Sequence, residues 1–487
     1  MEAVELLITL GLALVVVALA AFFRRSSSTP VSNNAGARTI EIRDPATARS
    51  LIIDHADAIL NRPSPPFRPP PGRRRLAGGI FSVPYGPRWR ALRSNLTADI
   101  LHRSRLGVLA PLQLDAVDAL VASLSAMAAA GKDVVVLRDS LHRAVLALSV
   151  RLCFGDGAGE RDLRTMLQAQ HEFLDLFVRV KASDRSWLQR LRHWRLRRRY
   201  FAGTAAWLNE VFLPLIAATP RRSPSTTHGG DGGFASYIDS LRALRVPIGD
   251  DDEDSGGADE HDGRRVLTND EMVWLVWEFI GGPTLNVMSC IEWTLAHLVA
   301  RSEIQERLRR EIVAAAGAGH EDMAANVRFR GMPYLHAVVM ESLRLHPPLP
   351  IMMRDVVHGK DAGAPHGGGG TKVTFVLGDI GRDGEVWTNP GEFRPERFLA
   401  GGEGEGVGLV PGPKEIKMMP FGAGRRYCPG AVMGMTHVKC FLAALLREFE
   451  WPPPGDAGVD MAEHDGFFKS MKTPLRARIT PRNPKIR

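Results

Sequence analysis

Residues Pro420 to Gly430 read PFGAGRRYCPG, setting one cysteine among glycines and arginines near the end of a 487-residue chain. Four roles are open to Cys428: half of a disulfide, a zinc ligand, a small buried hydrophobe, or a thiolate held for chemistry. The other cysteines, Cys153, Cys290 and Cys440, are scattered, and no two of the four form a C-x-x-C pair. A disulfide framework and a structural zinc site therefore have no support. Behind Cys428 come Pro429, Gly430 and an apolar helical run, AVMGMTHVKCFLAALLREF, stopped by Pro452, Pro453 and Pro454. Proline at a first helical position predicts Cys428 at or near the N-cap. Free backbone N–H groups and the positive end of the dipole there lower a thiol's pKa. Gly422 and Gly424 let the backbone turn beside a flat object, and Arg425 and Arg426 can pair carboxylates. A thiolate, close backbone and an arginine fork together suit a thiolate-ligated haem.

The rest of the chain must hold that loop. RTIEIRD alternates like a short strand, and a helix is predicted from Pro45 onward. Beyond about residue 90 helical periodicity dominates, and strand-like sequence returns at Thr371 to Gly381. Thr268 and Glu271 form a T-x-x-E capping box that opens a long helix. Inside it Pro283 removes a donor and is expected to disturb the bond to Phe279. Glu341 and Arg344 stand three apart on a further helical stretch, where they share a face and can pair.

Composition is ordinary for a globular protein, 45% hydrophobic and 24% charged, with a net charge of +8. A basic balance suits nucleic acid, a membrane surface or an acidic protein partner alike. The arginine-rich run Arg185 to Tyr200, with Trp187 and Trp194 inside it, reads as a solvated helical face or a membrane-surface patch. No nucleic-acid motif accompanies it. Residues 250–262 read as an acidic loop, and His366 to Gly370 as a turn without the phosphate-loop pattern. Leu6 to Phe23 is an uncharged apolar run of about 18 residues, enough to cross a bilayer. Acidic residues precede it and Arg24 and Arg25 follow, which places the body of the protein on the cytoplasmic side. The organisation expected is a membrane-anchor helix at residues 4–23, a linker at 24–37 and one domain at 38–487.

Phe421, Gly424, Arg426, Cys428 and Gly430 match F-x-x-G-x-R-x-C-x-G, and in this the chain resembles the cytochrome P-450 superfamily. The resemblance runs from about Arg38 to the C-terminus, and wording such as EIKMMPFGAGRRYCPG resembles plant microsomal members most. It implies a mainly α fold with a smaller β region, and haem b bound with Cys428 as axial thiolate and metal ligand. Arg397 of FRPERF is expected to join Glu341 and Arg344 in a structural network. Trp89 and Arg93 of YGPRWRALR are expected to face a haem propionate, and Arg354 of LPIMMRD to supply a further propionate ligand. Electrons would come from NADPH through a membrane-bound reductase, the substrate would be a small lipophile, and no nucleic acid would take part. The implied location is the endoplasmic reticulum membrane, single-pass, with the catalytic domain in the cytoplasm.

The pattern breaks on the long helix. Family members carry [AG]-G-x-[DE]-T, whose acid and alcohol deliver protons during oxygen activation. Here the motif falls on Gly282, Pro283, Thr284, Leu285 and Asn286. Leu285 carries no proton, and Asn286 hydrogen-bonds but is no acid. Thr284 lies two positions before Asn286, about 200° around the helix. Asn286 and Thr284 are the catalytic candidates that remain. A second departure is the short linker, where the family has a proline-rich hinge and a further helix and strand. Three readings follow: a microsomal monooxygenase with altered proton delivery, a hydroperoxide isomerase or dehydratase, and a non-catalytic haem protein. The intact cysteine loop implies haem in all three.

Overall fold

A computed structural model describes residues 39–63, 78–131, 134–155, 158–182, 204–221, 236–248, 263–315, 331–356, 371–453, 458–464, 466 and 468–482. The expected anchor, the linker, the arginine-rich run, the acidic loop and the glycine run lie outside them.

The first described segment is β1 (Thr39–Ile42), followed by a short helix α1 (Pro45–Arg49) with Pro45 at its first position. The Asp44 side chain accepts from the Thr47 amide and caps it. The helix expected to continue from there instead loosens into a π turn at Ser50–Asp54 and a tight turn at Ala56–Ile59. Next come α2 (Pro87–Asn95), α3 (Ala110–Ala129), β2 (Val134–Val136), α4 (Leu137–Phe154), α5 (Glu160–Ala182), α6 (Thr204–Ala218), α7 (Tyr237–Ala243) and the hairpin strands β3 (Arg245–Pro247) and β4 (Arg264–Val266). The long helix α8 (Asn269–Ala300) leads to α9 (Ser302–Ala315) and α10 (Pro333–Leu345). Then β5 (Ile351–Asp355) and β6 (Lys372–Val376) precede the cysteine loop and α11 (Ala431–Glu448). The described chain closes with β7 (Phe449–Glu450), β8 (Arg476–Arg478) and β9 (Thr480–Pro481).

Helices dominate, and the sheets are small. In the three-stranded sheet, β6 lies between a parallel β1 and an antiparallel β5; β2 pairs with β8, β3 with β4 and β7 with β9. Through this sheet the N-terminal strand meets the segment leading into the cysteine loop. Ile42, Leu51, Ile52, Val373 and Phe375 form one apolar cluster with Ile416, Met419 and Ala423.

At the centre runs α8. Its capping box forms as the sequence predicts: the Thr268 hydroxyl accepts from the Glu271 amide, and the Glu271 carboxylate accepts from the Thr268 amide. From Val287 to Val299 every residue is buried, the mark of a helix enclosed by protein all round. That half packs among α3, α4, α10 and α11, while the N-terminal half packs among α2, α5, α6 and α7. By length and apolarity α3 could cross a membrane, yet it buries Val117, Leu120 and Leu124 in the first of these clusters. The helix does not break at Pro283. Side chains just after the proline bond carbonyls just before it: the Thr284 hydroxyl donates to the Ile280 carbonyl at 2.7 Å, and Asn286 Nδ2 to that of Gly282 at 2.6 Å.

Candidate active site

Cys428 sits on a tight loop closed by its own amide, which donates to the Phe421 carbonyl at 2.8 Å; the Tyr427 amide donates to the Gly424 carbonyl at 3.2 Å. Gly422 and Gly424 adopt φ of 70° and 68°, a region that other residues enter only with strain. At Gly424 a Cβ would also lie 2.9 Å from the Ile52 side chain. The close backbone approach expected there is thus required twice over.

One expectation needs correcting. The helix begins at Ala431 with Gly430 as cap residue, so Cys428 lies two residues before the cap and Pro429 is not helical. The Cys428 thiol is not lowered in pKa either. Desolvation in its recess raises it, outweighing the Gly430 amide, Arg93 and Arg62, which favour the anion. Among the four cysteines it is the one not buried. Cys290 and Cys440, enclosed in apolar packing, are pushed up to about 12.

Around this loop four arginines converge from segments far apart in sequence. Arg93 on α2 donates to the Tyr427 carbonyl at 2.8 Å and lies over the Tyr427 ring. Arg426, in the loop itself, donates to the Val83 carbonyl at 2.8 Å and to Asn61 at 3.3 Å, with its guanidinium over Trp89. Trp89 is buried and donates its indole N–H to the Ile80 carbonyl. Arg354 on β5 is 4% exposed and, among the described residues, has for side-chain partners the Met353 carbonyl and the Met352 sulfur. The fourth cation, Arg62, lies over the Phe81 ring at 4.1 Å. Burial and mutual repulsion push Arg354 down to about 9, with Arg62 and Arg426 the neighbours responsible. By the same causes Arg426 and Arg62 fall to about 10.

This grouping is expensive and incomplete as protein alone. Arg93 Nη2 and Arg426 Nε and Nη1 are buried without an acceptor among the described residues. Buried donors without partners and buried like charges both cost free energy. A planar dianion carrying two carboxylates beside a thiolate supplies what these groups lack, so the residues present fit a haem. Arg62 carried no local sequence signal; it joins the cluster across the fold.

The buried ion network reads as the sequence predicted, with one addition. Arg344 makes a two-pronged bond to Glu341, at 2.7 and 2.8 Å, and Arg397 reaches Glu341 Oε1 at 3.2 Å. All three side chains are fully buried. Glu403, which the sequence did not announce, bonds Arg397 from the other side.

On α8 the motif positions separate. Thr284 is wholly buried, its hydroxyl turned to Ile280 and to Ser149 of α4 at 3.5 Å. Of the two candidates on α8, Thr284 thus turns its hydroxyl into the packing against α4 and away from the partly open stripe. Leu285 and Asn286 lie on a partly open stripe with Glu278 and Gly282, at i, i+4, i+7 and i+8, while Ile280, Thr284 and Val287 are covered. Asn286 Oδ1 is buried without a partner among the described residues. Glu278 accepts the Phe81 amide at 3.1 Å. Arg62 stands close enough that its charge is felt by both Glu278 and Cys428.

The sequence model of the cytochrome P450 family matches residues 34–480. Cytochrome P450 89A9 of Arabidopsis thaliana is 32% identical over 83% of this chain and 76% of its own length. Cytochrome P450 78A11 of Oryza sativa subsp. japonica is 31% identical over 90% of this chain and 76% of its own. A zebrafish cytochrome P450 solved with abiraterone superposes with a TM-score of 0.67 over 95% of this chain and 98% of that one; at 20% identity it bears on the fold alone. With a match across nearly the whole domain and plant relatives above 30% identity, this chain belongs to the cytochrome P450 family, whose general chemistry is haem-thiolate monooxygenation.

Proposed function

We propose that this chain is a membrane-anchored monooxygenase that hydroxylates or epoxidises a small lipophile and is impaired in proton delivery. The observation that carries the reading is the arginine cluster beside Cys428, in which Arg93 and Arg426 hold buried donors without an acceptor among the described residues. Haem, bound through the Cys428 thiolate, supplies the oxygen-activating and oxygen-inserting chemistry. Arg93, Arg354 and Arg426 hold its carboxylates, Arg62 adds a fourth cation, and Trp89 backs Arg93 and Arg426. Gly422 and Gly424, with Gly430, would leave room for the group beside the loop backbone, and the Phe421 carbonyl accepts the Cys428 amide. The carboxylates of a bound haem would offset the repulsion among the arginines, and Arg93 and Arg62 favour the anionic form of Cys428. Glu341, Arg344 and Arg397 stiffen the frame behind the loop. Residues 4–23 form the anchor in the endoplasmic reticulum membrane, and a reductase using NADPH supplies electrons on the cytoplasmic side.

On the partly open stripe of α8, Asn286 can hydrogen-bond but would give no proton, and Leu285 can do neither. The expected consequence is poor coupling. Reconstituted with reductase and NADPH, the holoenzyme consumes reduced cofactor and releases most of the electrons as peroxide. Tight coupling with a true substrate would overturn the impairment. The loss of acid and alcohol also favours a second reading, an isomerase or dehydratase of fatty-acid hydroperoxides. Turnover of such a hydroperoxide without NADPH would select it, although the undisturbed cysteine loop speaks for the first.

A further inference from the structure

We propose that Glu278 carries the protons that Leu285 cannot, handing them through water along the open stripe of α8 toward Asn286. The inference rests on the monooxygenase reading above and deepens it. Between Glu271 and Glu292, Glu278 is the one carboxyl on α8. The other two are engaged: Glu271 with Arg265 and Glu292 with Arg138. Seven residues separate Glu278 from Leu285, two turns less about 20°, so both lie on one face about 10 Å apart along the axis. Two or three waters span that distance. Room for them borders the stripe, since a Cβ added at Gly281 or Gly282 would meet nothing within 4 Å. At the far end, Asn286 gives one of its two amide hydrogens to the Gly282 carbonyl and holds Oδ1 without a partner among the described residues. It therefore offers an acceptor, which is what a water donating along the file requires.

The carboxyl is placed to exchange protons near neutrality. Burial pushes Glu278 up to about 7, against the Phe81 and Ile80 amides and the charge of Arg62, which hold it down. Tyr237 on α7, packed on the neighbouring Phe279, feels the Glu278 charge and has its own pKa raised well above the ordinary value, chiefly by burial. Gly79 lets the loop backbone pass this close, for a Cβ there would lie 2.2 Å from the Glu278 carboxyl. Reducing one atom of dioxygen to water takes two electrons and two protons. The electrons come from the reductase; each proton leaves Glu278 for the adjacent water and is replaced from solvent.

The test uses holoenzyme with reductase and NADPH and partitions consumed electrons between peroxide and water or product. In the wild type the peroxide share, large throughout, is smaller at about pH 6 than at about pH 8 and rises through about pH 7 as the carboxyl loses its proton. Glu278→Gln keeps an acceptor for the Phe81 amide but carries no acidic proton. Its flux to water or product is expected to fall about tenfold at about pH 6 and to lose its pH dependence. Adding Leu285→Asp to that variant restores the flux, and Glu278→Asp retains part of it with the pH profile intact. Independently of turnover, infrared spectra of resting holoenzyme show a carboxylic-acid band that titrates near neutrality and is missing in Glu278→Gln. Wild-type partition and pH profile in Glu278→Gln, or the same band in it, would overturn the proposal. So would a loss of flux that Leu285→Asp does not repair, for then Glu278 is only a clasp on the loop at Phe81. Failure of the monooxygenase reading itself shows earlier, as absence of a thiolate-type carbon-monoxide spectrum in the wild type.

Discussion

Replacing Glu341 by Gln tests how much of the fold rests on one buried carboxylate. Glu341 accepts from Arg344 Nε and Nη2, from Arg397 Nε and from the Arg394 amide at 2.9 Å, with no exposure to water. Gln keeps the shape and one acceptor oxygen but turns an NH2 toward guanidinium donors and removes the charge that two buried cations share. Removing one partner of a buried pair costs about 3–5 kcal/mol. Arg344 keeps the Gly381, Pro390 and Glu392 carbonyls, and Arg397 keeps the Asn389 carbonyl and Glu403. These remaining bonds put the expected cost at the lower end, about 3 kcal/mol. Against a typical stability of about 5–15 kcal/mol that is a large share. Thermal scans followed at the haem band and in far-ultraviolet dichroism should show the transition about 3 °C lower. The comparison variant is Glu160→Gln, which loses a pair with Arg143 of similar geometry, 2.6 Å, but half exposed on both sides, and should leave the transition unmoved. A Glu341→Gln transition within about 1 °C of wild type would refute the argument that burial gives this network its weight.

Three further outcomes follow from the same structure. Arg354→Met should act with opposite signs on the two states: the haem-free protein becomes more stable in urea by about 1 kcal/mol, while haem passes to a scavenging globin about tenfold faster. Unchanged haem retention would remove Arg354 from the carboxylate-binding set. Leu285→Asp with Asn286→Thr should lower the peroxide share of NADPH turnover several-fold, and an unchanged share would place the bottleneck elsewhere. Glu271, held by Arg265 and the Thr268 amide against the penalty of burial, is lowered from an ordinary 4.5 to about 2. A depressed carboxyl contributes stability above its unfolded pKa and loses it as pH falls through the folded one. About 3 kcal/mol should therefore disappear between about pH 5 and 2, and Glu271→Gln should flatten that limb of the urea-midpoint profile.

What the sequence made legible was local. The capping box at Thr268 and Glu271, the Glu341–Arg344 pair and the left-handed glycines of the cysteine loop are set by spacings of a few residues, and each formed as expected. The start of α11 was misread for a local reason as well. A proline after the cysteine matches a first helical position, but Gly430 takes the cap role and delays the helix to Ala431. Helical spacing already sets Thr284 about 200° from Asn286, and the packing of α4 against α8 shows which of the two is covered. Arg62, Glu278 and Glu403 were not legible at all. The bond between Phe81 and Glu278 spans 197 positions, and no periodicity or motif ties such residues together. The thiol's raised pKa belongs to the same class, since burial beside distant segments outweighs the helix end that the local sequence suggests.

The measurement that bears most directly on all of this is the absorption spectrum of the purified protein, reduced and bound to carbon monoxide. Sulfur from Cys428 on the iron predicts a strongly red-shifted Soret band that Cys428→His abolishes. A wild-type band at the histidine-ligated position, or one that survives the substitution unchanged, would contradict the account.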